Sequence, residues 1–142
     1  MRVLVAVDGS AESLRAVGHA VELVRHSADP ELVLASVQNH RTMGLSDVAA
    51  PIGHKGERQL AETLTAGQLA EAARLCWKAG IPVTTKVELG PIAAGILKLA
   101  RREKADQIVM GTRRLGTLKG AFTGSIAAQV IRGAKIPVTI VK

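Results

Sequence analysis

The sequence predicts an α/β protein with a doubly wound, five-stranded parallel sheet, strand order 3-2-1-4-5, and helices layered on both faces in the flavodoxin-like manner. Three observations predict it. Short apolar runs alternate with longer segments of helical periodicity, giving β-α-β-α-β-α-β-α-β. The runs are continuous rather than alternating, as in strands buried on both faces. The chain is 47% hydrophobic yet holds one Trp, one Phe and no Tyr. Its core is therefore built from Val, Ile, Leu and Ala, the residues of parallel strands under helices. A length of 142 residues fits a single domain, 1–142, with a substantial core.

The first strand is Val3–Val7, ended by Asp8-Gly9-Ser10. Ser10 is placed to cap the first helix, and Glu12 falls in its first turn, where the helix dipole favours an acid. That helix runs to about Ser27, with Leu14, Val17, Val21 and Val24 inward. Asp29-Pro30 is a turn, and the second strand covers Glu31 to about Gln38. The sixteen residues Asn39–His54 form a loop rich in Gly, Ser, Asp, Pro and His; loops of that length are usually functional or disordered. The second helix starts near Lys55-Gly56-Glu57 and ends at Gly80, with Leu60, Leu64, Leu69, Ala73 and Cys76 facing the core. Val83–Leu89 is the third strand. Its alternation of Val83, Thr85, Val87 and Leu89 with Thr84, Lys86 and Glu88 gives one wetter face and predicts an edge position. Gly90-Pro91 opens the third helix, with Ile92, Ile96, Leu99 and Ala100 inward and Lys98, Arg101, Arg102 and Glu103 toward water. The fourth strand is Ile108–Met110. The fourth helix runs from Ser125 to about Ala134, with Ile126, Val130 and Ile131 inward, and the last strand is Val138–Val141.

In the order 3-2-1-4-5 the first and fourth strands are neighbours, and the winding reverses between them. Ligands of open α/β sheets bind beyond the carboxyl ends of the strands at that point. The residues there are Val7-Asp8-Gly9-Ser10 and the segment from Gly111 to Ser125. The latter is a glycine-rich, basic loop leading from a strand into a helix, the setting in which backbone N–H groups and cations hold phosphate. The net charge is +7, and Lys98–Lys119 carries +5 of it. A basic balance favours anionic partners and also serves ordinary solubility.

Several function classes are disfavoured. The sequence holds no HExxH, GxSxG or GxxxxGK[ST]. One cysteine, Cys76, excludes an intrachain disulfide and fits a reducing cytoplasm. No signal peptide is recognisable and no apolar run reaches the ~20 residues of a membrane span. Nucleic-acid binding through the basic segment is disfavoured by the near absence of aromatics and of known motifs.

The chain resembles the universal stress protein family along essentially its whole length. The carriers are Val5-Ala6-Val7-Asp8-Gly9-Ser10, Ile81-Pro82-Val83, Gly90-Pro91, Ala105 to Thr112, Gly124-Ser125 and Ile136 to Val141. The resemblance implies an adenine nucleotide alpha-hydrolase-like fold. It also implies a homodimer formed through the strand Val138–Val141, and binding of ATP or another adenine nucleotide, with or without Mg²⁺. Nucleotide-binding members share Gly, two residues, Gly, nine residues, Gly, then Ser or Thr. Here Gly111, Gly124 and Ser125 fit the first, third and last positions, and Arg114 stands at the second. By the same resemblance Val7 and Asp8 lie near ribose and base, Val37 near the adenine, and Gly111, Arg113, Arg114, Gly124 and Ser125 around the phosphates, with Met110 a further nucleotide-binding candidate. One branch of the family binds ATP and another does not.

Arg114 reads in two ways. It blocks a site where glycine would allow close phosphate approach, or it grips phosphate together with Arg113 and Lys119. In the first case the protein is a stress protein acting through dimer and partner contacts without nucleotide. In the second it binds or senses ATP, ADP or AMP, and any hydrolysis is slow because no positioned base can be named. The plainer readings are these: Asp8 is a turn-forming residue, Ser10 and Ser125 are helix caps, and His40, Asp47 and His54 belong to a solvated loop rather than a metal site. Cys76-Trp77 is core and core edge.

Overall fold

A computed structural model describes residues 1–45, 52–112 and 124–142. In chain order the elements are β1 (Arg2–Ala6), α1 (Ala11–Val24), β2 (Glu31–Gln38), α2 (Gly53–Lys78), β3 (Val83–Leu89), α3 (Ile92–Arg102), β4 (Gln107–Gly111), α4 (Gly124–Gly133) and β5 (Val138–Val141). All strand pairs are parallel, in the order β3-β2-β1-β4-β5. The predicted topology is the observed one, with β3 and β5 at the edges.

Central β1 explains why the sheet holds. Val3, Leu4 and Val5 are fully buried, because helices cover both faces; each such side chain contributes about 1.5–3 kcal/mol relative to exposure. Odd-numbered β1 residues, with Leu32, Leu34 and Val109, meet α1 and α2. Even-numbered ones, with Val33, Ala35, Val37, Ile108 and Met110, meet α3 and α4. The strand period of two thus divides the interior into two cores.

Polar contacts close the N-terminal end of the sheet. The Arg2 guanidinium donates to Glu31 Oε2 at 2.8 and 3.0 Å and to the Glu103 carbonyl at 2.7 Å. The Arg2 backbone N–H donates to Asp106 at 2.8 Å. One residue therefore ties β1 to β2 and to the α3–β4 turn.

Four sequence expectations are corrected. Leu64 is 50% exposed, because the face of α2 that meets the sheet is Ala61, Thr65, Leu69, Ala72 and Cys76. The buried stripe runs at helical spacing through these residues, Leu69 included, and Leu64 falls outside it. Trp77, one position beyond Cys76, points to solvent. Ile131 is also exposed, because Ala127 and Val130 define the inner face of α4. Glu88, expected on the wetter face of β3, is the buried residue of that strand. It lies 3.2 Å from Lys98 and 3.3 Å from Arg102, so two α3 cations read as solvated compensate a buried carboxylate.

Truncation of α2 checks the corrected stripe. Leu69→Ala should cost about 2–5 kcal/mol, while Leu64→Ala should stay within about 0.5 kcal/mol. Urea unfolding monitored by circular dichroism reads both.

Candidate functional site

Within the sheet, β1 and β4 lie side by side with Ala6 opposite Met110, so the chain leaves both at the same edge. From β1 it turns to α1 on one face; α4, which follows β4, packs on the other. The divergence opens a crevice between the two exits.

The β1 exit is a hydrogen-bonded turn. Asp8 Oδ1 accepts the Ser10 N–H at 2.9 Å and also the Ser10 hydroxyl. Ser10 Oγ accepts the Ser13 N–H at 3.1 Å and caps α1, as its residue type predicts. The turn-forming reading of Asp8 is thus realised, and it holds the carboxylate at the crevice. Gly9 has φ +83°, and a Cβ there would fall 2.3 Å from Gln68 Oε1 of α2. Behind the turn, Ser36 Oγ accepts Gln38 Nε2 at 3.0 Å and Gln68 Nε2 at 3.4 Å. Sequence reading passed over this trio, of which Ser36 and Gln38 are buried; its signal was a Ser and a Gln inside the otherwise apolar run of β2.

The β4 exit is set by close packing. A Cβ on Gly111 would lie 2.6 Å from the backbone carbon and oxygen of Glu12. Glycine is required because the first turn of α1 rests on the end of β4. The Thr112 N–H then donates to the Val141 carbonyl at 2.9 Å. Gly124 and Ser125 are exposed at the start of α4, with Ser125 inside its first turn rather than ahead of it. Arg113 and Arg114, with the rest of 113–123, lie outside the described residues.

The structure therefore brings Asp8, Gly111, Gly124 and Ser125 to one edge of the sheet. Val7, Val37 and Met110 contribute differently. Their side chains are 1%, 5% and 0% exposed and belong to the two cores, Val37 against Gly95 of α3. A neighbouring cleft of about 540 Å³ opens at the ends of β2 and β3, walled by Met43, Leu89 and Pro91. At its rim His40 Nε2 stands 2.6 Å from Glu57 Oε1. Among the described residues no group of three His, Cys, Asp or Glu side chains is placed to hold a metal. None of their helices is long and apolar enough to cross a membrane.

The model of the universal stress protein family matches residues 1–142. The chain belongs to this family. It is 33% identical over 144 residues to a universal stress protein of Mycobacterium tuberculosis, covering 98% of this chain and 94% of the relative. A universal stress protein crystallised in complex with cAMP is similar at TM-score 0.69 and 26% identity, over 99% of this chain and 94% of that one. A family protein from Arabidopsis thaliana with AMP bound has TM-score 0.70 at 23% identity, over 100% of this chain and 91% of that one, a likeness of fold.

Cys76 lies away from the crevice. Burial pushes its thiol up to about 11, a backbone contact lowering it slightly, so it is neutral and unreactive at physiological pH. A disulfide reagent at pH 8 should modify it only on addition of denaturant; rapid labelling of the native protein would contradict this burial. At the crevice, Gly111→Ala should cost about 1–3 kcal/mol by forcing α1 off β4, read as a lowered urea midpoint.

Proposed function

We propose that this protein binds an adenine nucleotide (ATP, ADP or AMP) in the crevice between the Asp8 turn and the Gly111–Ser125 segment. The observation that carries the reading is the convergence of Asp8, Gly111 and the Gly124-Ser125 start of α4 on one edge of the sheet. Asp8, whose carboxylate is held in the turn by Ser10, is the candidate for ribose hydroxyls. The start of α4 at Gly124-Ser125 lies at the same edge, and a helix N-terminus favours phosphate through its backbone N–H groups and dipole. The family relative crystallised with cAMP supports the choice of an adenine nucleotide. Arg113 and Arg114 supply positive charge in the sequence between Gly111 and Gly124, and Mg²⁺ enters with the phosphates where ATP or ADP is bound. The function is binding or sensing in a stress response in the cytoplasm, with at most slow hydrolysis.

The family resemblance and the edge position of β5 support a homodimer through this strand. Ile140 is half-buried, and the parallel register directs its N–H away from β4. Ile131 is exposed on the adjoining α4.

Calorimetric titration with ATP, ADP, AMP and cAMP, with and without Mg²⁺, tests the site. Saturable binding is expected, and Asp8→Ala should weaken it about tenfold or more. Silence at millimolar nucleotide would sink the reading and leave the interaction protein, with Arg114 filling the crevice. Arg114→Gly assigns the arginine: weaker binding marks a phosphate grip, tighter binding a block. For the dimer, light scattering should give twice the chain mass, and Ile140→Pro should return the mass of one chain.

A further inference from the structure

At the opposite end of the sheet from the crevice, α3 and α4 end side by side over the beginnings of β4 and β5. Between them lies a pocket of about 520 Å³, within the size range of small-molecule sites. Its inner wall is apolar, formed chiefly by Leu97, Ile108 and Ile136. Three cations, Arg101, Lys104 and Lys135, also line it, and among the described residues no acidic one does. None of the three forms an ion pair among the described residues.

The nearest acids in sequence are engaged elsewhere. Glu103 lies 3.3 Å from Lys86, and Asp106 accepts the Arg2 backbone N–H. Lys104 has φ +54° at the end of α3, a conformation in which glycine is the usual residue. An ammonium-bearing side chain thus occupies a position that backbone conformation alone would assign to glycine. Basic residues near helix C-termini also complement the helix dipoles. That role needs neither an apolar hollow nor three cations converging on it.

We propose that this pocket binds a small amphiphilic anion, a carboxylate carried on an apolar chain. The chain lies against Leu97, Ile108 and Ile136, and the carboxylate is held at the rim by Arg101, Lys104 and Lys135. Charge-assisted hydrogen bonds to the rim select the anion over a neutral amphiphile of the same length. The site is separate from the crevice and does not depend on nucleotide binding there.

Decanoate, added below its micelle concentration to the full chain at low salt, is the probe. Methyl NMR should show saturable shifts at Ile108 and Ile136. Decanol should bind about tenfold more weakly, and added salt should weaken decanoate binding. The triple variant Arg101→Ser, Lys104→Ser, Lys135→Ser should lose about tenfold in decanoate affinity with decanol binding unchanged. Its folding is checked by circular dichroism. Ala100→Leu, which narrows the pocket while keeping the cations, should weaken both ligands and provides a second test if the triple variant does not fold. Absence of a saturable shift at millimolar decanoate would overturn the proposal and leave the cations as helix-end complements. Equal affinities for decanoate and decanol would overturn it as well.

Discussion

The rest of the structure depends on the contact between the first turn of α1 and the end of β4. Gly111 has no room for a Cβ because the Glu12 backbone occupies that space. With this contact, the Asp8 turn and the exit of β4 lie against the same helix start. The Ser10 cap begins α1 at the residue that allows it, and the Asp8 carboxylate fixes the turn leading there. A strand end, a helix start and a carboxylate are positioned together by one steric constraint. The crevice between the two strand exits thereby has one wall fixed by α1 and the Asp8 turn.

The sheet transmits this constraint through two cores of different character. On the α1 and α2 face, a polar trio of Ser36, Gln38 and Gln68 sits behind the Asp8 turn. Buried polar groups with satisfied hydrogen bonds specify a single arrangement more sharply than apolar packing does. On the α3 and α4 face, β4 carries residues of both ends of the molecule. Met110 is buried near the crevice and Ile108 lines the cationic pocket. The two sites are thus separated by the length of one short strand, each formed where helices diverge from or end over the sheet.

The pattern of what was legible follows from burial. The strands and helices read correctly as elements, because their periodicities are local and strong; the Ser10 cap did as well, whereas Ser125, expected as a cap, lies inside α4. Order 3-2-1-4-5 followed from alternation and handedness. Three of the misread positions lie where local size and polarity conflict with packing. Leu64 and Ile131 are large and apolar but face outward, outside the buried stripes that run through Ala61, Thr65 and Leu69 and through Ala127 and Val130. Glu88 is charged but buried, since Lys98 and Arg102 of a distant segment reach it. At the site, Asp8 and Gly111 were legible as turn and close-approach residues. Val7, Val37 and Met110 fall in the apolar strand runs that read as buried, and they join the two cores.

By itself the sequence determined the fold class, the strand order, the family and the edge of the sheet where chemistry collects. These rest on residue periodicity and on turn residues, which act over a few positions. Tertiary structure alone decided which face of α2 is buried, which cations hold Glu88, how Arg2 joins three segments, and that three cations surround an apolar pocket. Each of these depends on residues distant in the chain meeting at contact distance, and no local pattern records such a meeting.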